Sequence, residues 1–139
     1  MKNFILLVLF PFFAAPLIGC RTPQGRSTQS PDEIKDVSVV LLSQPAWAAQ
    51  YEKQKVRVTA KFERISSEFG IVGLEHYQFT HFLVSLVSAD EKASLYALIP
   101  AYSEILPTIR PGDLVKIEGI PYIGKNDYVY LLVTNLNKL

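Results

Sequence analysis

Between residues 55 and 63 the chain settles into a strict period of two, with Val56, Val58, Ala60 and Phe62 alternating with Arg57, Thr59, Lys61 and Glu63. Successive side chains of an extended chain point to opposite sides, so this spacing predicts a strand with one face in a core and the other in water. It is the clearest strand in the sequence, and the remaining segments are read around it.

More strand-like stretches follow, each bounded by a turn signal. Residues 79–88 place Phe82, Val84 and Leu86 on one face and His81, Leu83 and Ser85 on the other, before a polar turn at residues 88–92. Residues 94–99 form a third strand, stopped by Pro100. Arg110-Pro111-Gly112-Asp113 is a turn that opens a fourth strand over residues 114–119. Gly124-Lys125-Asn126-Asp127 then separates residues 120–123 from residues 128–133 as a hairpin, and residues 135–139 close the domain. The segment 66–78 carries Gly70 and Gly73 with no clean period and reads as a long loop or an irregular hairpin arm. Upstream, residues 37–42 are apolar and strand-like. Residues 43–51 offer a serine N-cap, a first-turn proline and several alanines, the signals of a short helix. Trp47 and Tyr51 would share a face of it and pack on the sheet. A second short helix is predicted over residues 102–109, limited by Pro107.

Five strands with a short helix between the third and fourth is the order of an OB-fold barrel. The run from Pro111 to Gly119, followed by a tyrosine-rich final hairpin, resembles the turn and strand that enter the second half of many bacterial OB-fold domains, over residues 55–139. The resemblance implies a mainly β, five-stranded barrel with one or two short helices, occupying residues 37–139. An SH3-like barrel or a small α+β sheet fits the same spacing. Gly119 suits a barrel, which needs glycine or a bulge where a strand bends sharply. OB-folds bind oligonucleotides, oligosaccharides or proteins across strands two and three, so the fold leaves the ligand open.

The N-terminus concerns location. Lys2 is followed by an almost wholly apolar run from Phe4 to Ile18, about 15 residues and shorter than the roughly 20 that a spanning helix needs. Pro11 and Pro16 interrupt it. Leu17-Ile18-Gly19-Cys20 at its end resembles the lipobox of bacterial lipoproteins. That resemblance implies cleavage before Cys20, a diacylglycerol on its thiol and an acylated new terminus, hence permanent anchoring to a membrane through the acyl chains. Residues 1–19 would then be a signal peptide, and residues 20–36 a lipidated terminus and flexible tether, polar from Arg21 to Pro31. Arg21 follows the cysteine in place of the aspartate associated with inner-membrane retention. The expected location is therefore the cell envelope, on the outer membrane facing the periplasm where the organism has one.

Cys20 is the sole cysteine, so a lipidated chain has no disulfide and no thiolate metal site. Removing Lys2 leaves thirteen basic side chains against thirteen acidic ones, a balance that gives no global attraction to nucleic acid. Arg57, Lys61, His81 and Tyr96 are the candidate ligand-binding residues on the outward face. An oligonucleotide or glycan module requires Arg57, Lys61 and Tyr96 to be adjacent in one exposed groove. Tyr122, Tyr128 and Tyr130 fit strands on packing grounds alone. His76 and His81 would need a third ligand, such as Glu75 or Asp90, to hold zinc. No phosphate loop, serine elbow or His-Glu-x-x-His is present in the sequence. The expectation is a protein without catalytic residues, metal or cofactor, binding another envelope protein or helping an envelope assembly through strand edges or the loop at 66–78, where Phe69, Ile71, Val72, Leu74, Tyr77 and the adjoining Phe79 exceed the apolar content of a solvated loop. The alternative is an oligonucleotide- or oligosaccharide-binding module.

Overall fold

The computed structural model describes residues 33–139. The expected signal peptide (1–19), Cys20 and the tether up to residue 32 lie outside the described residues. In chain order the elements are β1 (Lys35–Asp36), α1 (Val39–Leu42), α2 (Pro45–Ala48), β2 (Val56–Ile65), β3 (His81–Val87), β4 (Ser94–Pro100), β5 (Leu114–Ile123) and β6 (Val129–Lys138). Single 3₁₀ turns lie at Ala49–Tyr51, Glu75–Tyr77 and Leu106–Thr108.

The alternation that opens β2 becomes one wall of the core, with Val56, Val58 and Ala60 sealed from solvent and Phe62 nearly so. Along its first half β2 pairs with β5, from Val56 opposite Gly119 to Lys61 opposite Leu114. Along its second half it pairs with β3, from Lys61 opposite Val87 to Ile65 opposite Val84, with an irregularity between Phe62 and Arg64. β3 and β4 form a regular antiparallel hairpin, β4 lies parallel to β6 through Tyr96, Ala97 and Leu98, and β6 returns antiparallel along β5. The circle β2–β3–β4–β6–β5–β2 is a closed five-stranded barrel, the expected OB-fold architecture, with β1 added in parallel beside the start of β2.

Both ends of the barrel are plugged by apolar side chains. At the end where β2, β4 and β6 begin, α1 and α2 insert Val39, Leu42 and Ala48. At the other end the turn at Leu106–Thr108 contributes Leu106, followed by Ile109. A second, smaller cluster lies outside the barrel: Ile71 and Leu74 of the segment between β2 and β3 cover Leu83, Leu98 and Tyr130.

Several elements differ from the sequence expectation. Residues 37–42 do not extend as a strand, because Ser38 caps a helical turn, its Oγ accepting from the Leu41 amide at 3.2 Å, and that turn is needed at the barrel mouth. Gln44 rather than Ser43 precedes α2. Helical turns continue from α2 through the 3₁₀ turn to Tyr51, but Trp47 does not pack on the sheet: it is 47% exposed, while Ala48 is buried and Tyr51 leans on the core. Only one 3₁₀ turn forms within residues 102–109. β5 runs unbroken through Pro121, and β6 absorbs the expected tail. Leu83 and Ser85 are buried although they lie on the outer side of β3, since segment 66–80 folds back over that side.

Gly119 sits at the β5 bulge opposite Leu132–Val133, where an added Cβ would come within 2.5 Å of the Leu132 carbonyl oxygen. Gly119→Ala is therefore expected to cost about 1–3 kcal/mol through forced backbone movement. Gly70→Ala, with open space around the new methyl, is expected to stay within about 0.5 kcal/mol of wild type. Urea unfolding of the two variants measures the contrast.

Candidate tyrosine groove

Register places a transverse row on the outer face of the barrel: Ser85 of β3 stands opposite Tyr96 of β4, Tyr96 opposite Tyr130 of β6, and Tyr130 opposite Tyr122 of β5. The Tyr96 and Tyr130 rings stack with centroids 6.0 Å apart and planes inclined by 28°. Tyr128, at the start of the β6 arm, meets Tyr96 edge-on at 6.1 Å. Tyr130 is buried, and Asn126 Nδ2 donates to its hydroxyl at 3.3 Å, while Asn126 Oδ1 accepts from the Tyr128 amide at 3.4 Å. Asn126 thus ties the hairpin turn to the aromatic group. Gly124 is required beneath it, because a Cβ there would stand 2.8 Å from the Tyr130 ring and 2.9 Å from Asn126 Oδ1.

Two clefts open against these rings. The larger, about 480 Å³, lies between α1 and the starts of β4 and β6, and is lined by Ser43, Gln44, Lys92, Ser94 and Asp127. The smaller, about 280 Å³, lies between the start of segment 66–80 and the β5–β6 turn, lined by Ser66, Glu68, Ile71 and Asn126. Tyr96 and Tyr128 line both.

The residues singled out from the sequence do not assemble into one site. Arg57 donates from Nε and Nη2 to Glu118 Oε1 at 3.0 and 2.8 Å across the β2–β5 ladder, with Asp36 3.8 Å from the same guanidinium. Lys61 pairs with Glu91 at 3.1 Å and lines a separate cleft with Phe62 and Pro111. His81 lies four positions along β3 from Ser85, about 13 Å at the rise of a strand, next to Thr80 and edge-on to Tyr77 at 4.6 Å. Burial, reinforced by His76, lowers its pKa. Tyr96 alone of the four stands in the groove. Among the described residues no three His, Cys, Asp or Glu side chains converge on a point where a metal ion could sit.

Glu75, by contrast, is held below the usual carboxylate range mainly because its carboxylate accepts from the Gly73 amide, which fixes the turn of segment 66–80. Sequence reasoning missed the contributions of Ser43, Gln44, Asn126 and Tyr128 to the groove. The tyrosine-rich hairpin was visible, but strand packing alone accounts for tyrosines, and α1 was hidden inside a stretch read as extended.

Solved structures similar to the barrel include OBody AM3L15 bound to hen egg-white lysozyme, with a TM-score of 0.55 and 13% identity over 77% of this chain and 95% of that one. OBody AM3L09 bound to hen egg-white lysozyme matches at 0.53 with 13% identity over 77% and 96%, and OBody AM1L10 bound to hen egg-white lysozyme at 0.53 with 12% identity over 77% and 95%. At such identities the likeness is one of fold. No family model matches the sequence, and no curated protein matches it.

The Arg57–Glu118 pair has a pH signature. The hydrogen bonds from Arg57, joined by one from Asn135, hold the Glu118 carboxyl below its ordinary value of 4.5. A carboxylate whose pKa is depressed by folding adds stability that is fully present above the ordinary value and is lost as pH falls through the folded value. Glu118→Gln is expected to cost about 1 kcal/mol at neutral pH, the scale of a half-buried charged hydrogen bond. The gap to wild type in urea unfolding should close as the pH drops below 4.5 and stay constant above it.

Proposed function

We propose that the protein is a membrane-anchored lipoprotein of the bacterial cell envelope, without chemistry of its own, whose barrel binds another envelope protein. The observation that carries the protein-binding part is the exposure of large apolar side chains at one end of the barrel. Phe79 is 89% exposed and Tyr102 85% exposed, on either side of the hydrogen bond from the Ala101 amide to the Thr80 carbonyl. Ile65, Phe82 and Ile105, each partly exposed, belong to the same end. Exposed apolar side chains gathered in one place favour a protein partner over a dissolved ligand.

The direction in which the chain enters fits this reading. β1 runs parallel to the start of β2, so the segment leading from Cys20 reaches the barrel at the end opposite Phe79 and Tyr102. An acylated Cys20 would then leave the aromatic end unobstructed by the tether. The apolar segment proposed from sequence as a contact surface contributes less than its composition suggests: Ile71 and Leu74 are spent on the barrel, leaving Val72 and Phe79 to solvent. A polyanion is the weaker partner, because Arg57 and Lys61 are already neutralised by Glu118, Asp36 and Glu91 and nonspecific nucleic-acid affinity requires free cations.

Two measurements test the two parts separately. Intact mass of the membrane-fractionated protein should correspond to an acylated chain beginning at Cys20, and Cys20→Ser should release it from the membrane; an unmodified chain in the soluble fraction overturns the anchor. A photo-crosslinking residue at position 79 or 102 should give a discrete protein adduct in cells, and one at position 55, at the opposite end, should not. Absence of an adduct at both 79 and 102 overturns the protein-binding reading whatever the anchor.

A further inference from the structure

We propose that the groove on the two sides of Tyr96 and Tyr128 is a binding site for a neutral oligosaccharide. The site is independent of the anchor and is not the one expected from the sequence: it takes Tyr96 without Arg57 and Lys61, whose charges a neutral ligand does not need. It is also displaced from the middle of the β3–β4 face, where OB-folds usually take ligands, because the chain's own Ile71 and Leu74 fill that area against Leu83 and Leu98. What stays open is the margin of the face, and one of its walls comes from α1, outside the five-stranded barrel.

Three properties select the ligand class. First, the two clefts share their central rings, so an elongated ligand of repeating units can lie across Tyr96 and Tyr128 with a unit in each cleft. The larger, about 480 Å³, has the size of an ordinary small-ligand site.

Second, the rings are preorganised. Tyr96 is braced by buried Tyr130, and Tyr128, 55% exposed, has its backbone held by Asn126 and its ring edge-on to Tyr96. A saccharide ring presents a face of C–H bonds with partial positive charge, which complements the negative face of an aromatic ring. Holding that ring in place before binding reduces the entropy lost on association.

Third, the rim is polar, with one cation, two carboxylates and several neutral groups. Lys92 and Asp127 face the larger cleft together with Ser94 and Gln44, and Glu68 and Asn126 face the smaller one. Carboxylates and amides accept and donate to vicinal hydroxyls. With one cation against two carboxylates, the same rim lacks the excess of cations that a phosphodiester chain needs to replace its counterions.

The test uses the purified native protein in a detergent without a sugar head group. Tetramers of β-1,4-linked N-acetylglucosamine, β-1,4-linked glucose and α-1,4-linked glucose are titrated by calorimetry and followed through the aromatic carbon–proton NMR signals, with an oligothymidylate as comparison. At least one tetramer should bind and shift the Tyr96 and Tyr128 ring signals. Tyr128→Ala, a change at an exposed position, should weaken that binding by about tenfold or more, whereas Tyr128→Phe, which keeps the ring, should remain within about threefold. Failure of all three tetramers to bind overturns the proposal. So does binding that is indifferent to Tyr128→Ala, or oligothymidylate binding that displaces the sugar from these rings.

Discussion

The structure depends on β2 being shared between two partners. Its first six residues are zipped to β5 and its last five to β3, with Lys61 belonging to both ladders. That division turns a sheet into a barrel, since β4 and β6 close the far side through only three parallel pairs. Strand edges left open would offer unpaired backbone groups, and closure removes them. Closure also requires β5 to bend sharply, and the bulge at Glu118–Gly119 supplies the bend where no side chain other than hydrogen fits over Leu131 and Leu132. The inward alternation of β2 therefore meets Val115 and Ile117 across the ladder and helps complete an apolar core.

A closed interior leaves the outer surface to be divided among other demands. Leu83 and Leu98 are apolar on the outer side as well, which would place two leucines side by side in water. Segment 66–80 resolves this by laying Ile71 and Leu74 over them, with Glu75 fastening its turn through the Gly73 amide. The cover has a functional consequence: it takes the centre of the face and leaves the margin around Tyr96 and Tyr128 accessible. Surface charge is arranged in a similar way. Arg57, Lys61 and Lys138 are each matched by a carboxylate from another part of the chain, so basic residues that look available on a strand face are engaged across strands.

These arrangements explain which parts of the molecule could be read from sequence. The barrel was legible because alternation in β2, the Pro111-Gly112-Asp113 turn and Gly119 are local signals of elements that form locally. The outer cluster was not, although Leu83 and Leu98 breaking the polar alternation of β3 and β4 is the mark of a strand buried on both faces. Phe82 falls on the inward side by period yet remains 43% exposed, because it reaches the mouth of the barrel where the interior ends. Residues 37–42 defeated a propensity reading for a tertiary reason: β-branched Val39 and Val40 favour extension, but a capped helical turn lets Val39 and Leu42 plug the barrel together. Of the candidate ligand-binding residues, Tyr96 was identifiable as outward-facing, while its neighbours in the groove come from three separate segments that no spacing in the sequence brings together.

α1 links these observations. It fills the barrel mouth with Val39 and Leu42 and, from its other side and the residues that follow, gives Val40, Ser43 and Gln44 to the groove. The larger cleft of the groove therefore lies at the end where the chain arrives through β1, the smaller cleft reaches Ser66 beside Ile65, and the exposed aromatic cluster lies at the end where β3 begins and β4 finishes. With Cys20 acylated as proposed, the tether would depart from the first end and leave the second unobstructed. A single chain can then offer one surface to a saccharide and another to a protein. Such an arrangement needs a rigid body between the sites more than it needs catalytic groups, and a small closed barrel with both ends plugged supplies that body.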